Sequence, residues 1–161
     1  MTIFGKPLSE YIGFAKHILW LVAIVGIARL ALSLGGVENA TVKWLSISVM
    51  LLIGLVYFSI RVYTSGFGSY KQLLAVLFLQ NLVAQTIIIA GIVIAIFTHR
   101  DNIFSAPEYS GGGDGKTWFH AGGHLVFGMI VGTLLAWLVG CLIMWVTKKV
   151  VRKDEAAPQR A

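Results

Sequence analysis

The sequence predicts an all-α integral membrane protein: a single domain forming a four-helix transmembrane bundle with both termini cytoplasmic. Three observations lead there. Of 161 residues, 57% are hydrophobic and only 12% charged, an apolar content well above that of an ordinary soluble domain. Four apolar stretches have the length to cross a hydrocarbon core of about 30 Å, which takes about 20 helical residues. The basic residues, finally, are divided unequally between the two sides that four crossings define.

The first span is expected at 12–34. Ala31-Leu32-Ser33 offers a passable signal-cleavage context, but the length of the run and Arg29 within it favour a retained membrane helix. Gly35-Gly36 begins a short turn to the second span, 44–62, which makes the first two helices antiparallel neighbours. Asn39-Ala40-Thr41 in that turn matches a glycosylation acceptor, but lies too near the membrane to serve as one. The second turn, Thr64 to Tyr70, leads to the third span, 73–97. A longer loop, His99 to Thr117, precedes the fourth, 118–146, and a basic tail occupies 147–161. Trp44 and Trp118 mark one membrane boundary; Tyr63, Tyr70 and Trp145 mark the other, as aromatic belts do.

The net charge of +6 takes its meaning from its location. Lys6, Lys16, Arg61, Lys71, Lys148, Lys149, Arg152, Lys153 and Arg160 fall on the side of the termini with three acids, whereas four bases and four acids share the other side. Basic residues concentrate in cytoplasmic segments, so the termini are expected inside, in a bacterial inner membrane. The tail lysines and arginines follow a span directly and suit anionic lipid headgroups. Nothing aromatic or glycine-patterned accompanies them as a nucleic-acid site requires, so membrane lipids are the expected partners and nucleic acid is not. The lone Cys141 sits in the fourth span, where an apolar setting keeps a thiol inert.

The fourth span carries the most distinctive pattern. His120, His124, Gly128, Gly132, Ala136 and Gly140 recur every fourth residue and share one helix face. Small residues at that spacing let two helices approach closely in lipid, so Gly128, Gly132, Ala136 and Gly140 are expected to pack against protein. In the third span Asn81, Ala84, Ile88, Gly91, Ala95 and His99 form a second stripe, with Gly91 and Ala95 the expected acceptors of the fourth-span seam.

If the two seams meet, His99 leaves the third helix beside the point where His120 and His124 enter the fourth. Imidazole binds zinc, copper, nickel and haem iron, and His-x3-His on a helix places two rings one turn apart. Three readings fit His99, His120 and His124: interfacial side chains bonded to loop carbonyls, ligands of a divalent metal, or axial ligands of a haem with the nearby glycines making room. A zinc-protease reading fails because His-Ala-Gly-Gly-His lacks the glutamate such a site needs as base. Ser110-Gly-Gly-Gly-Asp-Gly-Lys-Thr117 ends like a phosphate loop, but Ser110 stands where glycine is required, and no strand precedes it. A flexible glycine turn is the expected structure there.

Gln80, Asn81, Gln85 and Thr86 form a polar cluster in the third span. Amides in hydrocarbon must be bonded, so they are expected to face a neighbour such as the helix carrying Ser46, Ser48 and Ser59, as interhelical glue or as a site for a quinone, lipid or solute. Arg29, near the end of the first span, is expected to reach the interface or to pair with Glu38 or a loop acid. No Asp or Glu lies within the four apolar cores, which removes the carboxylate a proton-coupled drug exporter relies on. No coherent catalytic set is present. The sequence therefore points to a non-catalytic accessory subunit or binding protein of a larger membrane complex, acting with other membrane subunits or by self-association. A haem- or metal-binding redox protein and an oligomeric small-solute transporter or channel are the alternatives.

Overall fold

The computed structural model describes residues 2–155, with side chains through Val151. The basic tail enters it only as the end of the last helix; 156–161, including Arg160, and the side chains of Arg152 and Lys153 lie outside the described residues. Four helices are long and apolar enough to cross a membrane. They are α1 (Leu8–Leu34), α3 (Ile47–Thr64, preceded by a one-turn α2, Asn39–Val42), α4 (Tyr70–Thr98), and a composite fourth element. This last element runs as α5 (Trp118–Gly123), a π-helical segment (His124–Val131) and α6 (Gly132–Glu155).

The chain opens with an antiparallel ribbon, β1 (Thr2–Ile3) and β2 (Lys6–Pro7). It turns through Phe4 and Gly5, both at positive φ, the conformation a tight two-residue hairpin requires. The ribbon closes the terminal end of the bundle. Tyr11 donates to the Ile3 carbonyl at 2.9 Å, and Gln72 donates to the Phe4 carbonyl at 2.9 Å while accepting from the Ser69 N–H at 2.8 Å.

Helices α3 and α4 form the inner pair. Both pack on each other and on α1 and α6, whereas α1 and α6 barely meet. A third of the apolar window of the inner helices is buried, against 11% for each outer one, which leaves Trp20, Ile24, Leu135, Leu138 and Leu142 pointing outward. The interior has two apolar layers. Tyr11, Phe58, Val62, Leu73 and Met144 fill the half near the termini; Val22, Val42, Ile47, Ile92, Ile103 and Phe104 fill the other. Gln80, Asn81 and Gln85, all buried, lie between them along α4.

The far end is closed by the long loop, and here the structure departs from a plain glycine turn. Residues Asn102 to Ala106 are buried and plug the bundle. Asn102 holds the plug: its Nδ2 donates to the Gly91 carbonyl at 2.7 Å, and its Oδ1 accepts from the Phe104 N–H at 3.0 Å. The Ile103 N–H donates to Ser33 Oγ at 2.8 Å. Gly91 receives the Phe104 ring, since a Cβ there would lie 2.6 Å from it; the expected meeting of Gly91 with the fourth-span seam is not what forms. Only the stretch around Gly111 and Gly112, both at positive φ, is an exposed glycine turn.

Aromatic residues gather at both ends. Trp44, Phe97, Trp118 and Phe119 are largely exposed at the far end. At the terminal end Lys148 lies over the rings of Tyr63 and Tyr70, and Lys149 over Trp145. Arg29 pairs with no acid among the described residues; it donates to the Leu45 carbonyl at 3.3 Å and lies over the Phe104 ring.

Replacing Asn102 by Ala leaves the buried Gly91 carbonyl and Phe104 N–H without partners, at a cost of about 1–3 kcal/mol. Thermal unfolding in detergent is expected to show a clear drop in midpoint for Asn102→Ala, while Glu108→Ala, which loses only an exposed bond to Asn39, stays within about 0.5 kcal/mol.

Candidate functional site

The polar layer is ordered by Asn81. Its Nδ2 donates to the Gly128 carbonyl at 2.8 Å, the Met129 carbonyl at 3.3 Å and Thr133 Oγ1 at 2.9 Å. The π-helical stretch His124–Val131 lies where this side-chain donor meets the helix's carbonyl row. Gly128 provides the room, because a Cβ there would stand 2.7 Å from the Gln85 amide oxygen. The small seam of the fourth span therefore faces amide side chains of α4 at Gly128. At Gly140 it faces Ser59 and Leu55 of α3 and Leu73 of α4.

These contacts fix a direction for the whole chain of bonds. A carbonyl only accepts, so the Asn81 group against Gly128 is its NH2, and its Oδ1 must face Gln85. Gln85 Nε2 stands 3.4 Å from that oxygen, which turns Gln85 Oε1 toward His124 Nδ1 at 2.9 Å. An amide oxygen cannot donate, so the proton of the neutral imidazole sits on Nδ1 and Nε2 keeps its lone pair. His120 reaches the same state by another route: its Nδ1 lies 2.9 Å from the Gly115 carbonyl. The two rings are 5.0 Å apart, centroid to centroid.

The loop supporting His120 is tightly held. A Cβ at Gly115 would run into the Ser105 backbone, so only glycine brings this carbonyl under the imidazole. Thr117 caps α5 by accepting from the His120 N–H at 3.1 Å. Lys116 lies between Asp101, at 2.7 Å, and Asp114, at 3.2 Å. The Lys116 N–H and ammonium hold the Asp114 carboxyl below the ordinary carboxylate range, while Asp101 and then Asp114 raise Lys116.

His99 is placed differently. It ends α4 in the left-handed conformation, φ 55°, is exposed, and makes no side-chain hydrogen bond among the described residues. No group of three His, Cys, Asp or Glu side chains among the described residues is close enough to hold a metal ion, so His99 does not join the His120 and His124 pair. Thr86 also leaves the polar cluster: exposed, it bonds the Leu82 carbonyl of its own helix at 2.7 Å. Gln80 does face α3, the helix carrying Ser48 and Ser59, though not through the serine hydroxyls. Gln80 instead donates to the Leu51 and Met50 carbonyls at 3.0 and 3.3 Å, an approach that Gly54 permits; its Oε1 is buried without a partner.

Alongside this layer a cleft of about 400 Å³ runs between α3, α4 and α6, lined by Ser48, Leu51, Gln80, Asn81, Gly128 and Gly132 among others. The arrangement supplies hydrogen-bond directionality, an apolar groove and two imidazole lone pairs. It contains no nucleophile paired with a base. Comparison with protein families, with curated proteins and with solved structures finds no match.

The seam positions differ in what they tolerate. Gly128→Leu is expected to displace Gln85 and destabilise by about 1–3 kcal/mol through overpacking. Gly132→Ala, whose Cβ meets Asn81 only at 3.7 Å, is expected to be neutral or slightly stabilising, since alanine favours a helix over glycine by about 1 kcal/mol. Detergent unfolding of these two variants beside Leu134→Ala, a truncation on an exposed face, checks the order.

Proposed function

We propose that this chain is an integral protein of a bacterial inner membrane, with both termini cytoplasmic, acting as a non-catalytic accessory subunit or binding protein of a larger membrane complex. The observation that carries the reading is how the interior polar groups are used. Asn81, Gln85, Thr133 and the Gln80 amide nitrogen bond to one another, to His124 or to carbonyls of neighbouring helices. Side chains engaged in this way act as interhelical ties, whereas a solute pathway uses polar or ionisable groups turned toward a water-filled route.

The outer faces of α1 and α6 supply the surface such a subunit offers to lipid and to other membrane helices. Ile24 and Leu138 are each more than half exposed and lie on the two helices that bury least within the bundle. The excess of basic residues on the terminal side supports the orientation.

Photo-crosslinking side chains placed at Ile24 and Leu138 in native membranes test the role. The expected result is a covalent adduct with a second polypeptide, another subunit or another copy, from at least one of the two faces; adducts with lipid alone from both overturn it. Orientation is checked in a Cys141→Ser background, where a cysteine at Gly112 is expected to react with impermeant reagent from outside and one at Gly66 only after lysis. The reverse pattern inverts the topology.

A further inference from the structure

We infer that His120 and His124 form a binding site for one borderline transition-metal ion, Zn²⁺ or Cu²⁺, at the far end of the bundle, with Gln85 and the Gly115 carbonyl positioning the two rings. The inference begins with the free nitrogens. Both Nδ1 atoms are engaged by oxygen acceptors at 2.9 Å, and neither Nε2 has a hydrogen-bond partner among the described residues. A histidine whose Nδ1–H is held by an amide or backbone carbonyl presents a basic, oriented Nε2, the arrangement found behind metal-ligating imidazoles.

Spacing agrees with a shared ion. Two rings bound through nitrogen at about 2.0–2.1 Å to a tetrahedral centre have centroids roughly 5 Å apart, and the rings here are 5.0 Å apart and tilted by 53°. Space is present as well. His120 and His124 are both only half-buried, so water can reach the remaining coordination positions. The only lysine on the adjoining loop stretch, Lys116, is occupied by Asp101 and Asp114 and sets no free ammonium against a cation. Imidazole nitrogen with water is a donor set for zinc or copper rather than for magnesium or calcium, which select oxygen.

The bond from His120 to the Gly115 carbonyl is one that an interfacial histidine also makes, so the distinction rests on His124, whose acceptor, Gln85, lies in the interior and is itself oriented through Asn81 by the carbonyls of Gly128 and Met129. A haem sandwich between the pair is geometrically excluded. Trans axial ligands stand on opposite sides of the iron, and these rings project from successive turns of one helix.

The test uses the full chain in lipid nanodiscs, purified without a polyhistidine tag and titrated with Zn²⁺ by calorimetry, with metal content read on the same sample. One ion per chain is expected. Cu²⁺ added to the unaltered protein is expected to give an electron paramagnetic resonance spectrum with coupling to two equivalent imidazole nitrogens, a readout independent of any variant's folding. His120→Ala and His124→Ala should each abolish stoichiometric binding, and His99→Ala should leave it unchanged. Gln85→Leu, which keeps both imidazoles but removes one acceptor, should weaken Zn²⁺ binding about 10–100-fold, and Gln85→Glu, which restores an acceptor, should recover it. No stoichiometric zinc, coupling to fewer than two nitrogens, or binding that survives in the His120→Ala/His124→Ala double variant overturns the site. None of these outcomes depends on whether the chain is an accessory subunit.

Discussion

The insertion of the Asn81 amide into the carbonyl row of the fourth element is the contact on which the rest of the interior depends. It is a hydrogen bond between a side chain of α4 and the backbone of its neighbour, 2.8 Å long at Gly128. An acceptor that cannot donate leaves only one orientation for the amide. That orientation sets Gln85, and Gln85 sets the tautomer of His124. In an apolar interior an amide without partners costs several kcal/mol, so the order of donors and acceptors is enforced by the expense of reversing any one of them.

Glycines turn this chemistry into packing. Gly54 and Gly128 are sockets for amide side chains, Gly91 for a phenyl ring, and Gly115 for a backbone approach. At Gly54, Gly91 and Gly128 the missing Cβ lets a larger side chain from another element fill the space, and at Gly115 it lets two stretches of one loop's backbone come together. Small residues in a membrane bundle are commonly read as places where two backbones touch. In this bundle two of them, Gly54 and Gly128, instead admit long polar side chains that cross from one helix to the next, and the π-helical segment lies where Asn81 makes its contacts.

The far end is organised by a different route to the same end. Asn102 bonds to α4 and to its own loop, the plug adds Ile103 and Phe104 to the apolar layer around Ile92, and Gly115 then sits against Ser105 with its carbonyl under His120. The orientation of one imidazole thus comes from the loop and that of the other from α4. The loop plug and the amide layer converge on a single helical turn.

The sequence by itself determined the four long helices, because the count of apolar residues that reaches across a bilayer is a local property of the chain; the ends of the first three agree with the expected spans to within a few residues, while the fourth runs on past 146 to Glu155. It also made legible that Asn81 and Gln85 occupy an interior face one turn apart, and that His120 and His124 share a side. The partners of these groups were decided only by the tertiary structure. Loop burial at Asn102 to Ala106, the exclusion of His99 from the histidine pair, the outward turn of Thr86 and the Arg29 bond to the Leu45 carbonyl all depend on which surfaces meet. Helical periodicity specifies the face on which a side chain lies, but not what lies opposite. Donor and acceptor identities, and with them the free nitrogens of the two histidines, come into being only when a second element supplies the other half of each bond.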